Sequence, residues 1–304
     1  MEELSLIHGY LRQNKKFPAV WCPGCGAGAI MNAILRTVKK LEWDKNDIVM
    51  VSGIGCSSRM PTYVDFNTLH TTHGRAIPYA TGIKLSKPKL NVIVITGDGD
   101  GLAIGGNHFI HACRRNIDLT VVVVNNWIYG MTGGQVSPTT PEGKFAHTAP
   151  YGSIDPPFDI SKMAAASGAS FVARSTVYSV VQMTKHIEGG MRHNGLSIVE
   201  VMSPCPELFG RLNNQRSAVC QLEYLKDKQV PLAKWNKMKP EERKEGQFPV
   251  GIFVHEERPE YCTSYFKMAR QLQKEAGTED PEELESNLID ANDQISDSKE
   301  LPNA

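Results

Sequence analysis

Short apolar runs rich in β-branched residues alternate along much of the chain with longer segments of helical periodicity. Such runs are typical of strands that are buried on both faces of a sheet. The predicted strands are 48–52, 90–96, 119–124, 170–174 and 198–202. The predicted helices are 27–40, 76–84, 102–115, 161–169 and 175–194. This rhythm predicts an α/β fold, a mostly parallel sheet with helices on both faces.

The unit formed by 90–96, 102–115 and 119–124 organises the rest of the chain. Its helical crossover makes the two strands parallel neighbours, so that their carboxyl ends lie side by side. Gly97-Asp98-Gly99 follows the first strand, and Asn125-Asn126 ends the second. Open α/β sheets bind their ligands at this edge. We therefore expect Asp98 and Asn126 to face one crevice.

The residues at this edge indicate a phosphate-bearing ligand with a cation. A carboxylate and an amide carbonyl are hard oxygen donors, which suit Mg²⁺ whose shell is completed by substrate phosphates. The flanking glycines lack a Cβ, so that backbone can approach those phosphates closely. The pattern resembles the diphosphate-binding motif of thiamine diphosphate enzymes. That resemblance implies Mg²⁺ held by Asp98, Asn126 and the backbone carbonyl of Ile128, and a cofactor bordered by Gly99, Asp100, Gly130 and Met131.

Other interpretations of the Gly-Asp-Gly turn fit less well. A calcium loop starting at Asp98 needs a bidentate glutamate at a position occupied by Phe109. A Rossmann site needs G-x-G-x-x-G in phase with the end of the strand, and this unit lacks it. An ordinary turn between a strand and a helix stays open as the alternative.

Three cysteine-bearing loops are predicted at the same edge of the sheet. Cys22 and Cys25 form a C-x-x-C knuckle before the first helix, and Cys56 lies in a glycine-rich turn. Cys205 lies between two prolines, just after the last predicted strand. Four thiolates can hold structural zinc or an iron–sulfur cluster. Zinc ribbons usually supply two C-x-x-C pairs, whereas two of these cysteines are solitary, so the pattern favours a cluster.

Composition narrows the class of protein. The 304 residues carry 33 basic and 33 acidic side chains, and this balance argues against a general nucleic-acid binder. No apolar run approaches membrane-spanning length, and the first residues lack the apolar segment of a signal peptide. We expect a cytoplasmic protein with reduced cysteines. Cys113 is expected to pack inside its helix, and Cys220 and Cys262 are assigned no role.

Six motifs occur in order between residues 17 and 211: WCPGCGAGAI, GIGCSSRMP, HGRAIPYATGIKL, GDGD, NNWIYGMTGGQ and SPCP. Together they resemble the β subunit of 2-oxoacid:ferredoxin oxidoreductases. The resemblance implies a [4Fe–4S] cluster on Cys22, Cys25, Cys56 and Cys205. It also implies cofactor contacts from Ile54, Gly55, Cys56, Ser57, His73 and Gly74. Without it, His73 would be interpreted as a solvated loop histidine.

Two arginines near the predicted crevice indicate the class of substrate. The guanidinium groups of Arg59 and Arg75 can each take a carboxylate bidentately, which suits a substrate with a second carboxylate, such as 2-oxoglutarate. Contact with phosphate or with a partner subunit is the alternative. The segment HGRAIPYATGIKL resembles the 2-oxoglutarate type more than the pyruvate type. His73 and Arg59 are therefore the predicted catalytic side chains.

The chain is expected to act only with a partner. Thiamine catalysis needs a carboxylate on the aminopyrimidine ring, and the resemblance implies that an α subunit supplies the domain that carries it. The expected reaction is reversible decarboxylation of a 2-oxoacid with coenzyme A, with electrons passing to ferredoxin, in a dimer of heterodimers. A non-redox thiamine decarboxylase with structural zinc, and a non-catalytic scaffold, are the alternatives.

Two regions are predicted from the change in character along the chain. Residues 1–220 are predicted to form the cofactor-binding α/β domain, which begins with a polar leader at 1–16. Within it, 137–159 is interpreted as a long ordered loop, because such loops are usually functional. Residues 221–304 form an irregular extension, partly helical, that ends in a solvated acidic tail.

Overall fold

The computed structural model describes residues 7–14 and 18–276. Most of the polar leader predicted at 1–16, and the acidic tail predicted after residue 277, lie outside the described residues. Within the described ranges, none of the helices combines the length and the apolar character that crossing a membrane requires.

Helices and strands alternate as the sequence pattern predicts. The helices are α1 (Ala27–Lys40), α2 (Ala76–Ser86), α3 (Gly106–Arg115), α4 (Ile160–Ala166), α5 (Val180–Arg192), α6 (Ala218–Lys228), α7 (Leu232–Trp235) and α8 (Tyr261–Ala276). The strands are β1 (Ile48–Ser52), β2 (Asn67–His70), β3 (Asn91–Gly97), β4 (Leu119–Asn125), β5 (Ile128–Tyr129), β6 (Gln135–Val136), β7 (Phe171–Thr176), β8 (Leu196–Met202), β9 (Gln229–Pro231) and β10 (Phe248–His255).

One eight-stranded sheet runs through the part of the chain that the structure describes, in the order β2-β1-β3-β4-β8-β7-β10-β9. All of its neighbouring pairs are parallel except β10 with β7. The central strands β3, β4 and β8 are nearly continuous runs of buried apolar residues. Such strands need cover on both faces, which the crossover helices supply.

Two hydrophobic clusters lie on opposite faces of this sheet. One joins the sheet to α1 and α5, and the other joins it to α2, α3 and α4. Ile30, Ile34 and Val38, spaced by four residues along α1, are all fully buried. Phe109 of α3 is also fully buried, so that truncating it to alanine should cost about 3–5 kcal/mol. The fold class predicted from the sequence is confirmed.

Three local features differ from the sequence prediction. The polar run before His73 forms edge strand β2, in which no residue is fully buried and which therefore carries no apolar signal. The helix predicted at 102–115 begins instead as a π-type turn, Gly99–Ile104, before α3. The extension, predicted as irregular and partly helical, also adds β9 and β10 to the sheet.

The segment between β6 and α4 contains no helix or strand among the described residues, apart from an isolated bridge between Ala146 and Ala149. It matches the long loop predicted at 137–159. Its two ends are held by buried polar contacts, which belong to the site described next.

Candidate active site

The carboxyl ends of four neighbouring strands meet at one edge of the sheet. In the strand register, Ser52 pairs with Ile95, Gly97 with Val124, and Asn125 with Met202. The loops that follow β1, β3, β4 and β8 therefore start side by side. These four loops carry nearly all of the side chains predicted for the site.

Asp98 lies directly after β3 and is almost completely buried, with 3% of its surface exposed. Its Oδ2 accepts hydrogen bonds from Ser137 Oγ and Thr139 Oγ1, each at 2.6 Å. Burial raises the pKa of the Asp98 carboxyl, and the two hydroxyl donors oppose that shift. Both donors lie in the long loop. The sequence signalled them only as polar residues in a segment interpreted as functional.

The two adjacent asparagines at the end of β4 have different environments. Asn125 is buried, donates through Nδ2 to Glu200 Oε1 at 2.9 Å, and has its Oδ1 2.9 Å from Thr139 Oγ1. Asn126 is only half-buried, and its Oδ1 accepts a 3.4 Å hydrogen bond from the Ile128 amide. Asn125 is thus fixed by the protein interior, whereas Asn126 is the more accessible oxygen donor.

Glu200 belongs to a buried charged group that the sequence did not predict. It is 1% exposed and accepts hydrogen bonds from Arg174 Nε at 2.7 Å and Ser161 Oγ at 2.9 Å. Arg174 also pairs with Asp159, at the far end of the long loop. Opposite charges beside a buried guanidinium raise its pKa against the effect of burial, so Arg174 stays charged. A polar chain therefore connects Asp98 to both ends of that loop.

Gly99 and Tyr129 are in direct contact. A Cβ at Gly99 would lie 2.2 Å from a carbon of the Tyr129 ring, and the Tyr129 hydroxyl donates to the Gly99 carbonyl at 3.1 Å. The glycine is therefore required by a ring packed against the backbone beside Asp98. Gly130 and Met131 follow at the same edge, and the Met131 side chain is 50% exposed.

The loops after β1 and β2 meet at Asp100. This carboxylate is 3% exposed and accepts hydrogen bonds from the backbone amides of Ile54 and Gly74 and from His73 Nδ1. Ile54 and Gly55 are half-buried, and Ser57 is buried. Of the two predicted cations, Arg59 is exposed, whereas Arg75 donates to the carbonyls of Gly74 and Ile104.

The structure brings together the four cysteines predicted as ligands. Electrostatic interactions connect all pairs among Cys22, Cys25, Cys56 and Cys205. Burial, with a further contribution from the neighbouring thiols, raises the pKa of Cys25 and of Cys56 to about 11. Within 7–14 and 18–276, no three His, Cys, Asp or Glu side chains are close enough to hold a single metal ion.

Backbone and ring contacts hold the cysteine loops in place. A Cβ at Gly130 would lie 3.4 Å from Cys56 Sγ and 3.7 Å from Cys205 Sγ. Trp21 Nε1 donates to the Cys56 carbonyl at 2.7 Å. Cys205 interacts electrostatically with Asp98, so that the thiols and the carboxylate belong to one region.

The remaining cysteines lie apart from this group. Cys113 is fully buried in the hydrophobic cluster beneath α3, as predicted for a packing residue. Cys262 is buried at the start of α8, and Cys220 is exposed in the first turn of α6.

Comparison with known proteins shows which family this chain resembles. Residues 53–201 match the family model described as thiamine pyrophosphate enzyme, C-terminal TPP binding domain. A 2-oxoglutarate synthase subunit KorB from Methanothermobacter marburgensis is 49% identical over 86% of this chain and 91% of its own length. A protein of the same name from Methanocaldococcus jannaschii is 49% identical over 88% of this chain and 98% of its own.

A solved structure extends the similarity to the whole fold. It is a 2-oxoglutarate:ferredoxin oxidoreductase from Magnetococcus marinus with 2-oxoglutarate, coenzyme A and succinyl-CoA bound. Its chain superimposes with a TM-score of 0.77 at 31% identity, covering 97% of this chain and 96% of that one.

Proposed function

Because this chain belongs to the β subunits of the 2-oxoacid:ferredoxin oxidoreductases, of the 2-oxoglutarate type, we propose that it binds the diphosphate of thiamine diphosphate for the oxidative decarboxylation of 2-oxoglutarate. The observation that carries this proposal is the buried carboxylate of Asp98 beside the accessible amide of Asn126, at the edge where β3 and β4 end. Parallel sheets bind their ligands at that edge.

The residues present fit Mg²⁺ and a diphosphate. Both hydroxyl donors to Asp98 bind the same oxygen, Oδ2, and hold the carboxylate in one orientation at the edge of the sheet. Asp98, Asn126 and the carbonyl of Ile128 would hold Mg²⁺, and the backbone at Gly99 would admit a phosphate oxygen. Bound there, thiamine diphosphate would supply the chemistry for decarboxylation of a 2-oxoacid, and these residues would hold and orient its diphosphate.

The four thiols fit an iron–sulfur cluster, which we propose as the first electron acceptor. All pairs of these thiols interact electrostatically, and Gly130, which has no side chain, lies beside the sulfurs of Cys56 and Cys205. The Ser203 hydroxyl is also 1% exposed with no hydrogen-bond partner among the described residues, and it lies against Gly26. Buried donors rarely stay unpaired, and cluster sulfurs are acceptors.

Substrate recognition is assigned to Arg59 rather than Arg75. Arg75 is already held by two backbone carbonyls, whereas the exposed guanidinium of Arg59 has no ion pair within the described residues. A planar guanidinium can take the second carboxylate of 2-oxoglutarate bidentately. His73, one-third exposed beside the cofactor loops, is the proposed acid–base group.

The complete reaction needs other molecules. An α subunit would cover the cofactor and supply the carboxylate for its aminopyrimidine ring, coenzyme A would take the succinyl group, and ferredoxin would take the electrons one at a time. We propose a dimer of heterodimers in the cytoplasm, with a reaction that runs in either direction.

Anaerobic co-purification with the α subunit tests this function. The complex should be brown, contain iron and magnesium, and reduce ferredoxin only when 2-oxoglutarate and coenzyme A are both present. A colourless complex with zinc and no ferredoxin reduction, but with decarboxylation intact, would replace the redox function with that of a simple thiamine decarboxylase. Pyruvate in place of 2-oxoglutarate is the control for substrate class.

A further inference from the structure

Both carboxylate oxygens of Asp100 accept hydrogen bonds from other residues of the protein. Its Oδ1 accepts hydrogen bonds from the Ile54 amide at 3.1 Å, the Gly74 amide at 2.7 Å and His73 Nδ1 at 2.6 Å. Its Oδ2 accepts from Thr96 Oγ1 at 2.8 Å. The side chain is only 2% exposed. A carboxylate with four donors and almost no exposed surface has little capacity left for a cofactor.

The surrounding backbone is shaped to admit this carboxylate. A Cβ at Gly53 would lie 2.2–2.6 Å from the carboxylate atoms of Asp100. Gly74 has a φ of +70°, which L side chains rarely adopt, and a Cβ there would lie 2.6–2.8 Å from Ile104 and Gly105. Two glycines thus let the loops after β1 and β2 close around one buried acid.

The hydrogen bond to Asp100 determines where His73 carries its proton. Because Asp100 Oδ1 already accepts two amide protons, it is an acceptor, and His73 must donate through Nδ1. The neutral imidazole then has its lone pair on Nε2, and the charged one carries a second proton there. The Tyr129 ring stands edge-on to the imidazole, with the centroids 6.2 Å apart and the planes at 85°, and restricts its orientation further.

We propose that Asp100 is a positioning residue: it fixes the His73 tautomer and presents Nε2 as the acid–base nitrogen of the site, and it does not bind the cofactor. The inference rests on the proposed function, because it needs His73 to act on the bound substrate or cofactor. It changes the role that the sequence motif suggests for Asp100, from a cofactor contact to a support for the residue that makes one.

A double-mutant cycle on the complex with the α subunit tests this inference. Asp100→Ala and His73→Ala should each lower kcat by about 10²-fold, the lower range for a lost acid–base group. The double variant should be no worse than His73→Ala, since Asp100 acts through that ring. Asp100→Asn keeps an oxygen acceptor for His73 Nδ1 and should recover most of the kcat lost in Asp100→Ala.

Two further measurements separate positioning from cofactor binding and from simple loss of structure. The affinity for thiamine diphosphate with Mg²⁺ should change less than about threefold in Asp100→Asn. The ¹⁵N NMR shifts of His73 should show a protonated Nδ1 in the wild type and in Asp100→Asn, but a mixture of tautomers in Asp100→Ala. Asp118→Asn, the same chemical change at an acid paired with Lys84, is the matched control and should leave both readouts unchanged.

Additive losses in the cycle, or a large fall in cofactor affinity in Asp100→Asn with kcat intact, would overturn the positioning role. Either outcome is distinct from failure of the proposed function, in which the wild-type complex itself would not oxidise 2-oxoglutarate.

Discussion

The carboxylate site and the thiol site lie at the same edge of the sheet but are built in opposite ways. Asp98 directly follows a central strand and already has two hydroxyl donors 2.6 Å away. The four cysteines lie in three loops, and burial raises the pKa of Cys25 and Cys56 to about 11, with no basic side chain among the described residues to offset it. Hydroxyl donors of the protein therefore offset part of the effect of burial on the Asp98 carboxyl, whereas the thiols stay protonated until a metal displaces their protons.

The largest expected effect is a loss of cofactor binding that leaves the thiol site unchanged. Asp98→Ala should abolish binding of thiamine diphosphate with Mg²⁺, a loss of more than about 100-fold in affinity, because the one carboxylate among the proposed ligands is removed. Titration calorimetry measures that loss. Iron content should be unchanged in the same variant. An unchanged cofactor affinity would remove Asp98 from the magnesium site.

The converse substitution should act on the thiol site alone. Cys56→Ser should lose most of the iron, measured by metal analysis of anaerobic protein, and with it the reduction of ferredoxin. Cofactor affinity should fall by less than about threefold, since the hydroxyl donors that hold Asp98 lie in the long loop and not in the cysteine loops. Cys220→Ser, at an exposed cysteine outside the group, is the matched control. Full iron occupancy in Cys56→Ser would rule out Cys56 as a ligand.

A pair of glycine substitutions should distinguish the carboxylate site from the thiol site through smaller effects. Gly99→Ala places a methyl group 2.2 Å from the Tyr129 ring and should lower cofactor affinity about tenfold, because ring and backbone must separate. In Gly130→Ala the added methyl group meets only sulfur atoms, Cys56 Sγ at 3.4 Å and Cys205 Sγ at 3.7 Å, among the neighbours within 4 Å. It should therefore alter the thiol site, seen in the spectrum of the loaded cluster, and leave cofactor affinity within twofold. Equal effects of both on cofactor affinity would mean that the sites are not separable.

The smallest effect concerns stability against pH. Folding raises the pKa of Cys25 and Cys56 from about 9 to about 11. The stability contributed by these buried neutral thiols is complete below pH 9 and is lost as pH rises through 11. Metal-free protein should therefore lose about 1–3 kcal/mol over that window, measured by urea denaturation. Metal-loaded protein should show no such loss, because its thiolates are already ionised and coordinated.

Sequence reasoning predicted the parts of the molecule that depend on strand order. The apolar runs predicted strand ends at Thr96 and Val124, one residue before the observed ends at Gly97 and Asn125, and parallel neighbours must bring their ends together. The family predicted from the motifs is confirmed by the relatives and by the solved structure. The individual roles of the predicted site residues stay predictions.

What the sequence could not provide were the polar contacts made by residues far apart in the chain. Ser137 and Thr139 reach Asp98 from a loop with no periodicity, and Glu200 looks like one polar residue in an apolar strand. Likewise β2 carries no apolar alternation, because none of its residues is fully buried at the edge of the sheet. Each of these depends on a tertiary partner, and no local pattern encodes a partner.

A chain of polar contacts restrains the long loop. It runs from Asp98 through Thr139, Asn125, Glu200 and Arg174 to Asp159. It fastens the long loop at its beginning and at its end, with buried charge rather than apolar packing. These contacts restrain both ends of the segment. If a partner subunit covers the proposed cofactor, we therefore expect that subunit, rather than the ends of this loop, to move when the site closes.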